Sequence, residues 1–201
     1  MALLVFLVLS SICLLLFSFD KITFHFGMLV GLVVLTYFGF QQLRFKGKIR
    51  FFPKEPVIAI VYSLGIWGEP LLMYKGSFSY DLYFSLVVYA LMVLMNVQLC
   101  SILQFKDDKE SGYPSLAGAF GADYVNKLNT AIGILVAFLC IIVIFWPELE
   151  SIREAAVIFL IMDFSLIFLN IISNYSRRRE LIGILNDAIF FLPFLILLAG
   201  R

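Results

Sequence analysis

The chain has 201 residues, 62% of them hydrophobic, with a mean hydropathy of +1.00. Soluble globular chains run nearer half apolar, and apolar runs of bilayer-crossing length recur here along the whole sequence, so the composition excludes an ordinary soluble domain. The formal net charge of +1 names no partner, and no nucleic-acid ligand is expected.

Residues 1–19 form the first apolar run. It lacks a basic lead, its first Lys is Lys21 beyond the run, and Ile12 before Cys13 spoils a lipoprotein-type cleavage site. It therefore reads as a spanning helix rather than a signal peptide. Residues 24–43 are the second helix, in which Gly27 and Gly31 form a small-xxx-small pair suited to helix packing. A basic loop follows, with Arg44, Lys46, Lys48, Arg50 and Lys54, and Pro53 and Pro56 admit a third helix over residues 57–74. Gly65, Gly68 and Pro70 predict a break near its far end.

The fourth helix is expected over residues 80–105, with polar last turns. The fifth covers 128–146 and is stopped by Pro147. The sixth covers 155–173 and carries Asp163 and Asn170; the seventh covers 181–200, with Asp187 in its second turn and Pro193 as a kink. No soluble domain, internal repeat or low-complexity tract interrupts them. The expected architecture is all-α: a polytopic transmembrane helical bundle of about seven helices, with residues 1–201 as a single transmembrane domain.

Cys13, Cys100 and Cys140 lie inside apolar runs without a CxxC neighbour and read as small buried hydrophobes. The single His25 makes no zinc site. Ionisable groups within spans usually face the bundle interior. Asp187 is expected to pair with the Arg177–Arg179 cluster, while Asp163 is deeper and would suit a proton relay or transporter.

Eleven of the fifteen Lys and Arg residues fall in the second, fourth and sixth loops: Arg44, Lys46, Lys48, Arg50 and Lys54; Lys106, Lys109 and Lys127; Arg177, Arg178 and Arg179. The other three loops hold only Lys21, Lys75 and Arg153, and Arg201 is terminal. This bias predicts a cytoplasmic N-terminus and a cytoplasmic stretch over residues 104–127, in the inner membrane of a bacterium.

That stretch is the densest in acidic groups. It reads Lys106-Asp107-Asp108-Lys109-Glu110, then a turn at Gly112-Tyr113-Pro114, then Ser115 to Gly121. If the fourth helix continues through Asp108, Asn96, Cys100, Gln104 and Asp108 share one slowly drifting stripe, with Asp107 nearby. An amide and two carboxylates at the helix end suit Mg2+, which takes one or two protein carboxylates and leaves other positions to phosphate and water. Lys106 and Lys109 suit diphosphate oxygens. The competing interpretation is a solvated connector at the membrane surface, in which local Lys–Asp pairs need no ligand.

The pattern after the carboxylates resembles the second signature of the UbiA-type intramembrane prenyltransferases: Asp-x-x-x-Asp, a basic residue, Gly, Ser or Thr before Leu, and a later Gly. The matching positions are Gln104, Asp108, Lys109, Gly112, Ser115, Leu116 and Gly121, with Asn96 and Ser101 in the polar lead-in. The resemblance covers most of the chain. The family's first signature, Asn-Asp-x-x-Asp, is absent, Gln104 stands where the signature has its first Asp, and the chain resembles the family from its third helix onward.

The resemblance implies Mg2+-dependent transfer of a prenyl group from a prenyl diphosphate to an aromatic or other lipid-soluble acceptor, by a truncated or impaired member. It places Asp107 and Asp108 at the metal, with Asp108 catalytic, Lys106 and Lys109 at the diphosphate, and Asn96 and Gln104 as polar cavity groups. Tyr62, Phe84 and Tyr89 either line the cavity or pack in the core. The implied partners are these two substrates and membrane lipid, with room for a homo- or hetero-oligomer that supplies what one chain lacks. The alternatives are a non-catalytic membrane homologue or partner protein, and a small transporter dependent on Asp163.

Overall fold

Apolar stretches without prolines leave the backbone one way to satisfy its polar groups in lipid, which is to coil. The computed structural model describes residues 21–45, 54–73, 80–111, 115–173 and 179–194, and these are helical almost throughout, with no strand among them. In chain order the helices are α1 (Lys21–Phe45), α2 (Lys54–Met73), α3 (Tyr80–Leu103), α4 (Phe105–Ser111), α5 (Leu116–Phe120), α6 (Ala122–Phe145), α7 (Glu150–Ser173) and α8 (Arg179–Ala188). The expected helix over residues 1–19 and Cys13 within it lie outside the described residues, as do Arg177, Arg178 and residues 195–201.

α3, α6 and α7 are each 24 residues long, about 36 Å at 1.5 Å per residue, and long and apolar enough to cross a membrane. Residues Phe24–Phe40 form a shorter apolar helix. Several helices begin earlier than hydropathy suggests: α6 starts at Ala122 and α7 at Glu150, with polar first turns that belong to the helix but not to its apolar run. α2 continues through Gly68 and Pro70 to Met73, without the expected break in its assignment. Pro147 does end α6, opening a 3-10 turn at Pro147–Leu149. Pro193 acts upstream. It cannot donate to the carbonyl four residues back, and the α-helix gives way to a 3-10 turn at Ile189–Phe191.

The chain divides into two compact units: residues 1–49 with 64–76, and residues 50–63 with 77–201. In the first, the ring of Phe26 lies directly against Gly68, whereas no described residue lies within 4 Å of a Cβ at Gly27 or Gly31. The second is built on α3, α6 and α7. One face of α3 is fully buried through Val88, Met92, Met95 and Leu99, spaced four and three residues apart. It meets Val136 and Cys140 of α6 and Ala156, Met162 and Leu166 of α7. Phe84 and Tyr89 pack against this core. The outward faces are equally apolar: Ile134 and Phe138 of α6 and Phe164 and Phe168 of α7 are all more than half exposed, as lipid-facing side chains are.

Gly133 is the point of closest approach. A Cβ there would lie 2.7 Å from Ile167 Cγ1 and 2.9 Å from Met95 Cε, so only hydrogen lets α6 nest between α3 and α7. One turn away, Asn129 Nδ2 donates to Asn170 Oδ1 at 3.2 Å, and Asn170 Nδ2 donates to Thr130 Oγ1 at 3.2 Å. At the opposite end of the bundle, Ser151 Oγ donates to Asp81 Oδ2, so the starts of α3 and α7 lie together and the two helices run parallel.

Candidate functional site

The end of α3 is where the chain leaves its apolar regime. The helical ladder continues across Gln104: its N–H bonds Cys100 O, and the N–H of Asp108 bonds Gln104 O, both at 2.9 Å. Asn96, Cys100, Gln104 and Asp108 therefore do lie on one drifting stripe. That stripe is divided between two environments.

The first is a cavity of about 590 Å³ lined by Cys100, Leu103, Gln104 and Asp107 from the α3–α4 side and by Arg179, Glu180, Gly183, Ile184 and Asp187 from α8. Two ties hold α8 against α3. Arg179 Nη1 donates to Leu103 O at 3.2 Å. Seven residues on, Asn96 and Asn186 exchange amide-to-backbone bonds: Asn96 Nδ2 to Asn186 O at 3.2 Å and Asn186 Nδ2 to Asn96 O at 3.1 Å. Asn96 Nδ2 also donates to Asp187 Oδ1 at 3.2 Å, and Asn186 Nδ2 to Cys100 Sγ at 3.5 Å. Asp187 thus accepts from Asn96 and makes no ion pair among the described residues, Arg179 included; Arg177 and Arg178 of the expected pairing lie outside them.

The second environment belongs to Asp108, which is buried and accepts a 2.7 Å salt bridge from Lys54 Nζ at the start of α2. Beside it Glu55, fully buried, accepts the N–H of Leu116 on Oε1 at 2.8 Å, while Oε2 has no partner among the described residues. Ser115 accepts the N–H of Gly118 at 3.0 Å, so Ser115 and Glu55 together cap α5. Gly121 then turns the chain into α6 at φ +90°, a conformation that disfavours any side chain. Ser115, Leu116 and Gly121 of the signature are thus accounted for by capping and turning.

Asp107 and Asp108 are not brought together. Consecutive helical residues point about 100° apart. The cavity face is centred between Cys100 and Asp107, which takes Gln104 along and leaves Asp108 to α2. Lys106 is exposed, and Lys109 lies on α4 with its side chain outside the described residues. Asn96 belongs to the ties that hold the cavity and is not among its lining. Lys54, Glu55, Arg179, Glu180 and Asp187 are the residues that sequence reasoning missed or placed elsewhere. Gly183, inside α8, is a local signal that sequence reasoning did not use.

Mg2+ commonly takes one or two protein carboxylates and completes its shell with phosphate and water. Among the described residues no three His, Cys, Asp or Glu side chains converge. Gln104 and Asp107 put oxygen donors at one end of the cavity, a set that fits a Mg2+ arriving with phosphate oxygens and does not fit a protein-only cage, while Asp187 is held beside Asn96 at the other end.

Deeper in the core, Asp163 is fully buried and among the described residues neither carboxylate oxygen has a hydrogen-bond partner. Gln98 Oε1 and Ser101 Oγ are likewise buried without a partner. Comparison with protein-family models, curated proteins and solved structures yields no significant match.

Proposed function

We propose that the chain is a UbiA-like membrane protein that binds a prenyl diphosphate in the α3–α8 cavity and transfers the prenyl group to a lipid-soluble acceptor. The observation that carries this reading is the cavity itself. It has the volume of a small-molecule site and combines acids, an amide and an arginine at its α4 end with Leu103 and Ile184 in its walls. Asp107 and Gln104 would hold Mg2+ together with the diphosphate, where the ion would supply charge neutralisation for the leaving group. Asp108 serves indirectly, fixing Lys54 beside α4. Leu103 and Ile184 give the hydrocarbon its apolar contacts. With the Lys- and Arg-rich loops inside, this end of α3 faces the cytoplasm.

The test is calorimetric titration of farnesyl diphosphate into the full chain in nanodiscs. Binding is expected to require Mg2+ and to weaken about tenfold or more in Asp107→Asn. Equal affinity in EDTA, or in Asp107→Asn, overturns the site.

The Lys54–Asp108 pair supports a second reading, a non-catalytic membrane homologue or partner protein. In it the signature acid is committed to a structural ion pair and Glu55 to capping α5. This reading predicts no Mg2+-dependent ligand and a role for Asp108 in stability alone.

A further inference from the structure

We propose that Arg179 anchors the phosphoryl end of the cavity's ligand, a role that rests on the prenyl-diphosphate reading above. A guanidinium carries five N–H donors in a planar fork. In Arg179 the one hydrogen bond among the described residues is Nη1 to Leu103 O at 3.2 Å. Asp107, Glu180 and Asp187 line the same cavity, yet no carboxylate of the described residues comes within salt-bridge distance of it. The backbone tie therefore fixes where the guanidinium sits, and the remaining donors stay available. An oxyanion with several oxygens in one plane is the ligand that fork matches, and phosphate is the commonest such group.

Gly183 supplies an independent observation. It lies inside α8, where glycine is the least favourable residue after proline, and no atom of the described residues lies within 4 Å of a Cβ built on it. Nothing in the packing of the described residues requires the missing side chain. What the glycine does is leave the cavity wall open one turn from Arg179. The site therefore runs from a charged end at Arg179, Gln104 and Asp107 through a middle section at Cys100, Gly183 and Ile184 to Asp187, which Asn96 holds at the far end. An amphipathic ligand with its phosphoryl group at Arg179 and its hydrocarbon along Gly183 matches that order.

The experiment titrates inorganic diphosphate and farnesyl diphosphate, each with Mg2+, into the full chain in nanodiscs. Arg179→Gln removes the charge and the guanidinium fork; Gly183→Leu fills the wall and leaves Arg179 intact. The expected result is that Arg179→Gln weakens both ligands roughly tenfold or more, whereas Gly183→Leu weakens farnesyl diphosphate and spares inorganic diphosphate. Unchanged affinity of both ligands in Arg179→Gln overturns the anchor and leaves the prenyl-diphosphate reading standing. Arg179-dependent binding of inorganic diphosphate, with farnesyl diphosphate no tighter, keeps the anchor and overturns the prenyl reading. A wild-type chain that binds neither ligand overturns both.

Discussion

Lys54 and Asp108 meet at 2.7 Å across 54 positions of sequence, with side chains only 16% and 10% exposed. An ion pair this shielded is strongly coupled to folding, because removing one partner strands the other's charge away from water. Lys54→Met is expected to cost about 3 kcal/mol in thermal or denaturant unfolding in detergent. Lys54→Met combined with Asp108→Leu is expected to recover most of that loss. A single-mutant cost under about 1 kcal/mol would make this an ordinary surface pair.

Glu55 works on the same segment by a different route. Its Oε1 takes the first N–H of α5, and charge-assisted bonds of this kind contribute about 2 kcal/mol. Glu55→Ala should lower stability by about that amount and accelerate hydrogen exchange over Leu116–Phe120 before the rest of the bundle. Glu55→Gln keeps an acceptor oxygen and should cost less.

The Gly133 contact predicts a steric signature. Gly133→Leu drives a side chain into Ile167 and Met95 and is expected to cost about 3 kcal/mol, measured as a fall in unfolding midpoint. Ile167→Ala makes room directly opposite. The double variant should therefore be more stable than the sum of the single effects implies.

Asn129 and Asn170 form an interhelical amide pair inside the span. Such bonds contribute modestly in membranes, so Asn129→Leu is expected to cost about 1 kcal/mol. A cycle with Asn170→Leu should show coupling between the two. Additive effects would mean that each amide is satisfied elsewhere.

A helix end was legible where a proline interrupted the apolar run, as at Pro147; the starts of α6 and α7 were not, because their first turns are polar. The buried face of α3 was not. Val88, Met92, Met95 and Leu99 have helical spacing, but the lipid-facing positions between them are just as apolar, so the stripe carries no contrast. The mouth of α3 was partly legible: the ladder through Gln104 to Asp108 follows from the absence of any helix breaker. Which acid enters the cavity was not, because Lys54 and Glu55 lie two helices upstream and read locally as a basic loop and a helix start. Arg179 was visible only as one of three consecutive arginines, since its acceptor is a backbone carbonyl that no side-chain pattern encodes.

The ties between α3 and α8 are spaced alike on both helices, Leu103 to Asn96 on one and Arg179 to Asn186 on the other. Seven residues are two turns, about 10 Å. Cys100 and Gly183 fall between them, so the two helices form a ladder with fixed rungs and an opening of set gauge. Sliding either helix by a single residue would break both rungs at once. Such an aperture sorts ligands by cross-section: affinity should hold up to the width left by Gly183 and then drop abruptly, with little adjustment of the helices on either side.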